Sequence, residues 1–187
     1  MTSRTNIKEK LKNLVRKKSL LSGANFTLAS GETSQYYFNM KNTTFHPEGS
    51  LLLSDLILEL LEPYKVESIG GLEMGAVPIA AAVTCRSFQT EQPITGFFVR
   101  KQTKGHGTKS LIEPNQPAGT KVAVIEDVTT TGASALQAVD AVEAAGCEVS
   151  VVITLVDRQE GAKEAFAGRN LPFHALFRAS DFDVSAT

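Results

Sequence analysis

The stretch VAVIEDVTTTGAS, residues 122–134, gives the strongest indication of how this chain folds. Its first four residues are apolar, as in a strand that is buried on both faces of a parallel sheet. Apolar residues then recur at helical spacing, at Ala135, Leu136, Val139 and Val142. We therefore expect residues 126–134 to form the turn between a buried strand and a helix, at the carboxyl end of the strand, where open α/β sheets bind ligands.

The alternation of apolar strands and helices extends in both directions from this stretch. The pattern predicts strands at residues 68–71, 94–99, 121–125, 148–156 and 173–177. It predicts helices at residues 49–61, 77–86, 132–145 and 160–167, after an N-terminal helix and two short β-rich runs at 26–28 and 36–38. This order is typical of an α/β protein with a central, mostly parallel sheet flanked by helices. Because no repeat or linker interrupts it, we expect a single domain over residues 1–187.

Composition excludes several classes of protein. The 187 residues include 19 Lys and Arg against 20 Asp and Glu, so the net charge of −1 does not favour a nucleic-acid or membrane partner. The two cysteines, Cys85 and Cys147, form no CxxC or Cys/His pattern, which indicates reduced thiols. The charged N-terminal segment lacks the apolar stretch of a secretory signal, and no apolar run is long enough to span a membrane. We expect a cytoplasmic protein.

The polar half of the opening stretch has the features of a phosphate-binding turn. Gly132 allows the backbone to approach an anion closely, and the following helix N-terminus presents unpaired N–H groups. The hydroxyl donors are Thr129, Thr130, Thr131 and Ser134. Neither a P-loop nor a GxGxxG dinucleotide motif occurs in the chain. The sequence therefore predicts a phosphate cradle of another kind.

Two adjacent carboxylates, Glu126 and Asp127, precede this cradle. They would repel a phosphate if they faced it, so they make chemical sense when they face sugar hydroxyls or a carbon that gains positive charge. The alternative is that Asp127 caps the helix and Glu126 is a solvated strand end.

A break without apolar periodicity, residues 101–120, separates two predicted strands. Loops of that length inside a compact domain are uncommon and are usually functional or disordered. Five cationic or titratable residues lie within residues 100–109, across its start, namely Arg100, Lys101, Lys104, His106 and Lys109, and glycines separate some of them. We interpret the segment as a mobile cationic lid, with a solvated charge run as the alternative.

These motifs resemble those of a known family. Four apolar residues, two acidic residues and a Thr/Gly-rich turn resemble the ribose-phosphate loop of the type I phosphoribosyltransferases. The segment RKQTKGHG, residues 100–107, resembles the catalytic loop of the orotate phosphoribosyltransferases in particular. Three further segments resemble that family: FTLASGETSQYYFN at 26–39, GGLEMGAVPIA at 70–80 and LVDRQEGA at 155–162. The resemblance covers residues 26–158, with the motifs in the family's order.

The resemblance implies a fold and a reaction. The implied fold is that of the type I phosphoribosyltransferases, with a small N-terminal hood over residues 1–45 and a flexible catalytic loop over residues 101–120. The implied reaction converts orotate and phosphoribosyl pyrophosphate (PRPP) to orotidine 5′-monophosphate and pyrophosphate, in pyrimidine nucleotide synthesis. The implied cofactor is Mg²⁺, bound mainly through PRPP and water with no direct protein ligand. A homodimer is implied because in that family one subunit lends its loop to the neighbour's site.

The resemblance also assigns roles to residues. Glu126 and Asp127 match contacts to the ribose hydroxyls. The 5-phosphate segment consists of Val128, Thr129, Thr130, Thr131, Gly132, Ala133 and Ser134. Arg100, Lys104 and His106 match contacts to the pyrophosphate, and Lys101 matches the lysine supplied to the neighbouring subunit. Thr130 and Arg158 match the orotate contacts. The implied catalytic residues are Asp127, Lys101, Lys104 and His106.

The chain departs from the family's pattern at three positions. Some members carry a lysine where this chain has Ala29, and another near Met74, which leaves more of the anion binding to Arg100, Lys101 and Lys104. Glu126 replaces a frequent aspartate.

Other functions are consistent with parts of the sequence. A PRPP-sensing regulator on the same fold would not need RKQTKGHG. A purine or uracil phosphoribosyltransferase is disfavoured by the N-terminal segment and by DRQEG, residues 157–161. A plain α/β interaction domain explains the fewest of these motifs. For Arg158 alone, an ion pair with Asp157 or Glu160 is the alternative to an orotate contact.

Overall fold

The computed structural model describes residues 4–27, 33–90, 92–102 and 110–184. The helices are α1 Arg4–Lys18, α2 Lys41–Thr44, α3 Pro47–Leu61, α4 Ala76–Ser87, α5 Ala133–Ala144 and α6 Ala162–Ala167. The strands are β1 Leu20–Thr27, β2 Thr33–Phe38, β3 Ser68–Gly70, β4 Thr95–Gly96, β5 Phe98–Val99, β6 Ile112–Glu113, β7 Lys121–Thr129, β8 Glu148–Asp157 and β9 Phe173–Arg178. Short 3₁₀ helices span Glu62–Tyr64 and Ala179–Phe182.

A parallel sheet of five strands lies at the centre, in the order β4-β3-β7-β8-β9. Every neighbouring pair in it is parallel. The chain builds outward from β3 to β4, and then places β7 on the opposite side of β3. This reversal opens a crevice at the carboxyl ends of β3 and β7, which is where open α/β sheets bind ligands. The predicted α/β class and parallel sheet are confirmed.

The two faces of the sheet are covered by separate apolar clusters. Along β7, Ala123 and Ile125 face the cluster that includes α1, α3 and α4. Val122 and Val124 face the cluster that includes α5 and α6. All four side chains are buried. The strand has no solvent-exposed face at these positions, and its sequence is therefore apolar at consecutive residues.

Strand β7 is longer than the apolar pattern predicts. Its pairing with β8 continues through Glu126, opposite Thr154, and through Thr129, opposite Asp157. The prediction that residues 126–134 form a turn is therefore wrong for 126–129, since the backbone ladder continues although the side chains become polar. The two carboxylates project from a strand, which holds them more rigidly than a loop would.

The predicted strand at 94–99 divides into two. Thr95–Gly96 joins the central sheet as β4, whereas Phe98–Val99 forms an antiparallel pair with β6, in register Val99 with Ile112. The predicted break at 101–120 thus contains the return strand of a hairpin, and Ile112 is buried. Residues 103–109 of that break lie outside the described part of the chain.

The N-terminal part forms a second antiparallel hairpin, β1–β2, which we call the hood hairpin. Its strands pair from Leu20 opposite Phe38 to Thr27 opposite Thr33, with an irregularity between Ser22 and Phe26. Tyr36 and Phe38 are buried in the same apolar cluster as α1 and α3, so the hood hairpin is anchored to the main core. Among the described helices, none combines the length and apolar character that crossing a membrane requires.

Candidate active site

A cleft of about 730 Å³ lies at the carboxyl ends of β3 and β7. Most of its walls come from three parts of the chain: the end of the hood hairpin with α2, the turn after β3, and the end of β7 with the following turn. Lys101, after β5, and Arg158, after β8, complete it. Its lining comprises Tyr37, Phe38, Lys41, residues 72–76, Lys101, residues 126–128, residues 130–134 and Arg158. The cleft therefore brings together the carboxylates, the predicted cradle and Arg158.

Asp127 packs directly against the turn after β3. A Cβ atom added at Gly75 would overlap the carboxylate of Asp127, so this position accommodates only a glycine without rearrangement. The Glu73–Met74 peptide bond in this turn is cis. The Asp127 carboxylate accepts a hydrogen bond from the backbone N–H of Val128, at 3.0 Å. It does not cap α5, whose N-cap residue is Gly132.

The fold opposes ionisation of both carboxyl groups. Burial raises the pKa of Glu126 to about 7, although hydrogen bonds from Thr129 and Ser134 act in the opposite direction. The Thr129 hydroxyl donates to Glu126 Oε2 at 2.5 Å. Burial also raises the pKa of Asp127, while the backbone N–H of Val128 and the charge of Lys41 lower it. Two half-buried carboxylates next to each other favour a ligand that brings hydroxyl donors or positive charge.

The turn that follows β7 has the predicted features of a cradle. Gly132 has a φ of +85°, a conformation that L side chains rarely adopt, and a Cβ there would lie 2.9 Å from Cζ of Phe166. The next residue begins α5, so the unpaired N–H groups of that helix face the cleft. Thr130, Thr131, Ala133 and Ser134 line the cleft together with Gly132. Thr129 differs, because its side chain is buried and its hydroxyl is engaged by Glu126.

Arg158 reaches the cleft from the end of β8. Its side chain is only 4% exposed, yet it belongs to the cleft lining. Nε donates to Glu160 Oε1 at 2.8 Å, Nη2 donates to Ser34 Oγ at 3.1 Å, and Cζ lies 4.4 Å from the centre of the Tyr36 ring. The ion pair with Glu160 that the sequence suggested as an alternative does form, but it forms inside the protein and not on its surface.

The cationic residues of the predicted lid are only partly described. Arg100 makes two hydrogen bonds to the Glu113 carboxylate, at 3.0 and 3.3 Å, and this pairing raises its pKa. Lys101 lines the cleft, and its backbone N–H donates to Glu73 Oε1 at 3.0 Å. Lys104 and His106, like Ala29 in the hood segment, lie outside the described residues.

Lys41 is a cleft residue that the sequence patterns did not identify. It lies on α2, a helix of four residues that was not predicted, and its charge acts on Asp127. The only signal in the sequence was a cation shortly after the apolar run YYF at 36–38, and such a lysine is common on any surface. It lines the same cleft as Met74, near which the chain lacks a lysine that some family members have.

The described side chains include no group of three or more His, Cys, Asp or Glu residues that could hold a metal ion. Glu126 and Asp127 are hard oxygen donors, and Mg²⁺ in proteins commonly uses one or two carboxylates together with water and substrate phosphates. The donor set therefore fits a magnesium ion that arrives with a phosphorylated ligand.

Comparison with known proteins gives close relatives over nearly the whole chain. No family model matches. An orotate phosphoribosyltransferase of Rhodopseudomonas palustris (strain TIE-1) is 46% identical over 184 residues, covering 96% of this chain and 98% of that protein. The orotate phosphoribosyltransferase of Mycobacterium tuberculosis H37Rv, solved with Fe(III) dicitrate, matches with a TM-score of 0.84 and 38% identity, covering 95% of this chain and 99% of that one. The same M. tuberculosis enzyme, solved in complex with 5-phospho-α-D-ribosyl 1-diphosphate, matches with a TM-score of 0.80 and 36% identity at the same coverage.

Proposed function

The chain belongs to the orotate phosphoribosyltransferase family, and from that premise we propose how its cleft performs the reaction. Its fold is the type I phosphoribosyltransferase fold. As a pentosyltransferase, it transfers ribose 5-phosphate from PRPP to orotate, which yields orotidine 5′-monophosphate and pyrophosphate in pyrimidine biosynthesis.

One observation carries the assignment of the site. The buried carboxylates Glu126 and Asp127, the cradle at 130–134 and the buried Arg158 line the same cleft. The first two features fit a ribose phosphate, and the third fits a planar acidic base, so one cleft accommodates both substrates.

On the ribose side, the cradle holds the 5-phosphate through backbone N–H groups and the hydroxyls of Thr130, Thr131 and Ser134. Val128, Gly132 and Ala133 complete this segment. Thr129 contributes indirectly, because its hydroxyl donates a hydrogen bond to the Glu126 carboxylate. Glu126 and Asp127 accept hydrogen bonds from the ribose hydroxyls. As the bond from C1 to the pyrophosphate oxygen breaks, positive charge grows on the ribose, and the two carboxylates stabilise it.

On the leaving-group side, cations stabilise the charge of the departing pyrophosphate. We assign this task to Lys101, and to Arg100, Lys104 and His106 of the predicted catalytic loop. Arg100 donates to Glu113 from Nε and Nη2, so its contact with the pyrophosphate uses its remaining N–H donors or requires this ion pair to open. Lys41 adds a cation from the hood side, next to Asp127 and the turn at 72–76.

The acceptor base lies between Arg158, Thr130 and the aromatic residues of the hood hairpin. The guanidinium of Arg158 is a planar donor that matches a carboxylate or ring carbonyl. Tyr37 and Phe38, at the end of the hood hairpin, also line the cleft, and their rings provide apolar surface for a flat base.

We propose Mg²⁺ as the cofactor, held mainly through PRPP and water, with Glu126 and Asp127 as the nearest oxygen donors. When bound, it neutralises part of the pyrophosphate charge.

We further propose that the enzyme is a cytoplasmic homodimer in which Lys101 acts in the neighbour's site. We also infer that residues 1–187 form one catalytic domain, with the hood at 1–45 and the catalytic loop at 101–120.

A steady-state assay with orotate, uracil, hypoxanthine and adenine as acceptors tests this function. We expect turnover with orotate as the preferred base, and loss of at least about 100-fold in kcat for Asp127→Asn, because the charge that it stabilises develops in the transition state. Preference for another base would contradict the assignment of orotate as the acceptor substrate. Specific DNA binding without turnover of any base would instead support a PRPP-sensing regulator.

A further inference from the structure

We propose that Ser34, Tyr36 and Glu160 form a clamp that fixes the guanidinium of Arg158 before orotate binds. We call these three residues the arginine clamp. They are positioning residues, since they act on the substrate through Arg158 and do not themselves line the cleft. The inference rests on the proposed contact between Arg158 and orotate, and it adds the residues that set the direction of that contact.

The three contacts hold the guanidinium from different sides. Glu160 accepts from Nε at 2.8 Å and Ser34 accepts from Nη2 at 3.1 Å, both in the plane of the group. The Tyr36 ring covers one face, with Cζ 4.4 Å from the ring centre. Two edge contacts and one face contact define the position and the plane of the group. These two hydrogen bonds use two of its five N–H donors, which leaves donors on Nη1 and Nη2 for a ligand in the cleft.

Burial makes the clamp necessary. The Arg158 side chain is 4% exposed and that of Glu160 is 20% exposed, so the ion pair is largely removed from water. A guanidinium at such a site would be strongly destabilising without a negative partner. Glu160 supplies that charge on the Nε edge, which leaves the opposite edge of the fork for the substrate. Glu160 therefore balances the charge of Arg158 in the unliganded protein and does not use the N–H donors that face the substrate.

The clamp also links two separate parts of the fold. Ser34 and Tyr36 are alternate residues of β2, so they project from the same face of the hood hairpin. Arg158 and Glu160 follow the end of β8 in the central sheet. The hydrogen bond between Ser34 and Arg158 joins positions 124 residues apart. The orotate contact therefore depends on how the hood hairpin is docked on the sheet.

Two substitutions separate the ring of Tyr36 from its hydroxyl. The hydroxyl oxygen is buried, and among the described residues it has no partner that meets ordinary hydrogen-bond distance and angle limits. Burial raises the pKa of this phenol, and the nearby Arg158 opposes that shift, so the hydroxyl also interacts with the guanidinium. Tyr36→Leu removes both the ring and the hydroxyl, whereas Tyr36→Phe keeps the cation–π contact and should retain more of the affinity for orotate than Tyr36→Leu does.

The test measures KM for orotate and for PRPP in single and double variants of the full-length enzyme. We expect Glu160→Ala and Tyr36→Leu to raise KM for orotate about tenfold, with KM for PRPP changed less than about twofold, because a charge-assisted contact typically corresponds to about one order of magnitude in binding. Glu160→Gln keeps an acceptor for Nε and should recover part of the loss. Glu164→Ala, an acidic residue exposed on α6, is the control for loss of a nearby carboxylate.

A double-variant comparison separates the clamp from a general structural role. In an Arg158→Met background, Glu160→Ala should raise KM for orotate no further, since the clamp has nothing left to position. A further rise in that background would overturn the clamp, as would an unchanged KM for orotate in both Glu160→Ala and Tyr36→Leu. If Glu160→Ala does not fold, Glu160→Gln and Ser34→Ala are measured in the same way and decide the matter by the same criterion.

Failure of the proposed function has a different signature. If Arg158→Met itself leaves KM for orotate unchanged, Arg158 does not contact the base. The proposed orotate contact and the arginine clamp are then both wrong. If Arg158→Met raises KM for orotate and the clamp variants do not, only the clamp is wrong.

Discussion

Glu126 carries a carboxyl group whose ionisation the folded protein opposes. Burial raises its pKa from an ordinary value of 4.5 to about 7. Between these two values the folded protein binds more protons than the unfolded chain, so the slope of stability against pH is negative. The stabilisation associated with protonated Glu126 is fully present below about pH 4.5 and is lost as pH rises through about 7.

This linkage predicts a difference between the wild type and Glu126→Gln, whose amide does not titrate. From pH 4.5 to 8 the free energy of unfolding of the unliganded wild type should fall by roughly 2–3 kcal/mol relative to the variant, since one pKa unit corresponds to about 1.4 kcal/mol. Urea unfolding of both proteins at several pH values measures this difference in the free energy of unfolding. Glu164→Gln, at an exposed position, should follow the wild type, and a difference that does not change with pH for Glu126→Gln would contradict the prediction.

Lys41 gives a second prediction, on substrate affinity. Its charge acts on Asp127, and it lines the same cleft as Lys101, to which we assign the departing pyrophosphate. We expect Lys41→Met to raise KM for PRPP about tenfold, because an opposite-charge contact at a partly solvated site contributes on the order of 1–2 kcal/mol. KM for orotate should change less than about twofold.

Steady-state kinetics with each substrate varied in turn measures this effect. Lys10→Met, at an exposed position of α1, is the control for loss of a positive charge. An unchanged KM for PRPP, or an equal rise in both KM values, would show that Lys41 does not contact the pyrophosphate.

The turn after β3 packs against the end of β7, and Gly75 is the residue of this turn that contacts Asp127. A Cβ at this position would overlap the Asp127 carboxylate, so Gly75→Ala must displace that side chain or the turn. We expect kcat to fall about 100-fold, since misplacement of a reacting group by about 1 Å has effects of that size. Gly168→Ala is the control, because a Cβ there has ordinary contacts, with nearest atoms at 3.5 Å. Activity within about threefold of the wild type would contradict the prediction.

Continuous apolar stretches were sufficient to predict most of the central elements. Strands β7 and β8 are buried on both faces, so their sequences are apolar at consecutive positions. The end of β7 was not predictable in this way, because its pairing with β8 through Glu126 and Thr129 involves backbone groups and does not depend on side-chain polarity. The split between β4 and β5 was missed because residues 94–99, ITGFFV, have the composition of a single strand in either arrangement.

The candidate site was predictable only where its chemistry is local in sequence. Glu126, Asp127 and the cradle lie within nine consecutive residues, so their types and spacing indicated a ribose phosphate. The ion pair of Arg158 with Glu160 is also local in sequence and was named as an alternative. The contacts of Ser34 and Tyr36 with Arg158, and the position of Lys41, were not predictable, because they depend on how the hood hairpin and α2 lie against the sheet. Ser34 and Arg158 carry no mark in the sequence that would pair them across the intervening chain.

The whole molecule combines these elements around one reversal in strand order. Because β3 and β7 are neighbours although the chain visits β4 between them, the turns after both strands meet at one edge. The segment between β5 and β6 leaves from the same edge, since Lys101 follows β5 and lines the cleft. Lys101, at the start of the predicted catalytic loop, therefore lies at the cleft, and we expect the loop to serve either its own site or that of a second subunit.

Whether Lys101 acts in its own site or in that of the second subunit can be decided by complementation between two inactive variants of the proposed homodimer. Lys101→Ala and Asp127→Asn should each be inactive alone. If Lys101 acts in the neighbour's site, a mixed dimer contains one site with both wild-type groups, so an equimolar mixture should recover about a quarter of wild-type activity after random subunit exchange. Exchange is verified by a size tag on one variant, and each homodimer taken through the same exchange is the control. If Lys101 acts in its own site, every site in the mixture lacks one group, and activity stays absent although mixed dimers are present.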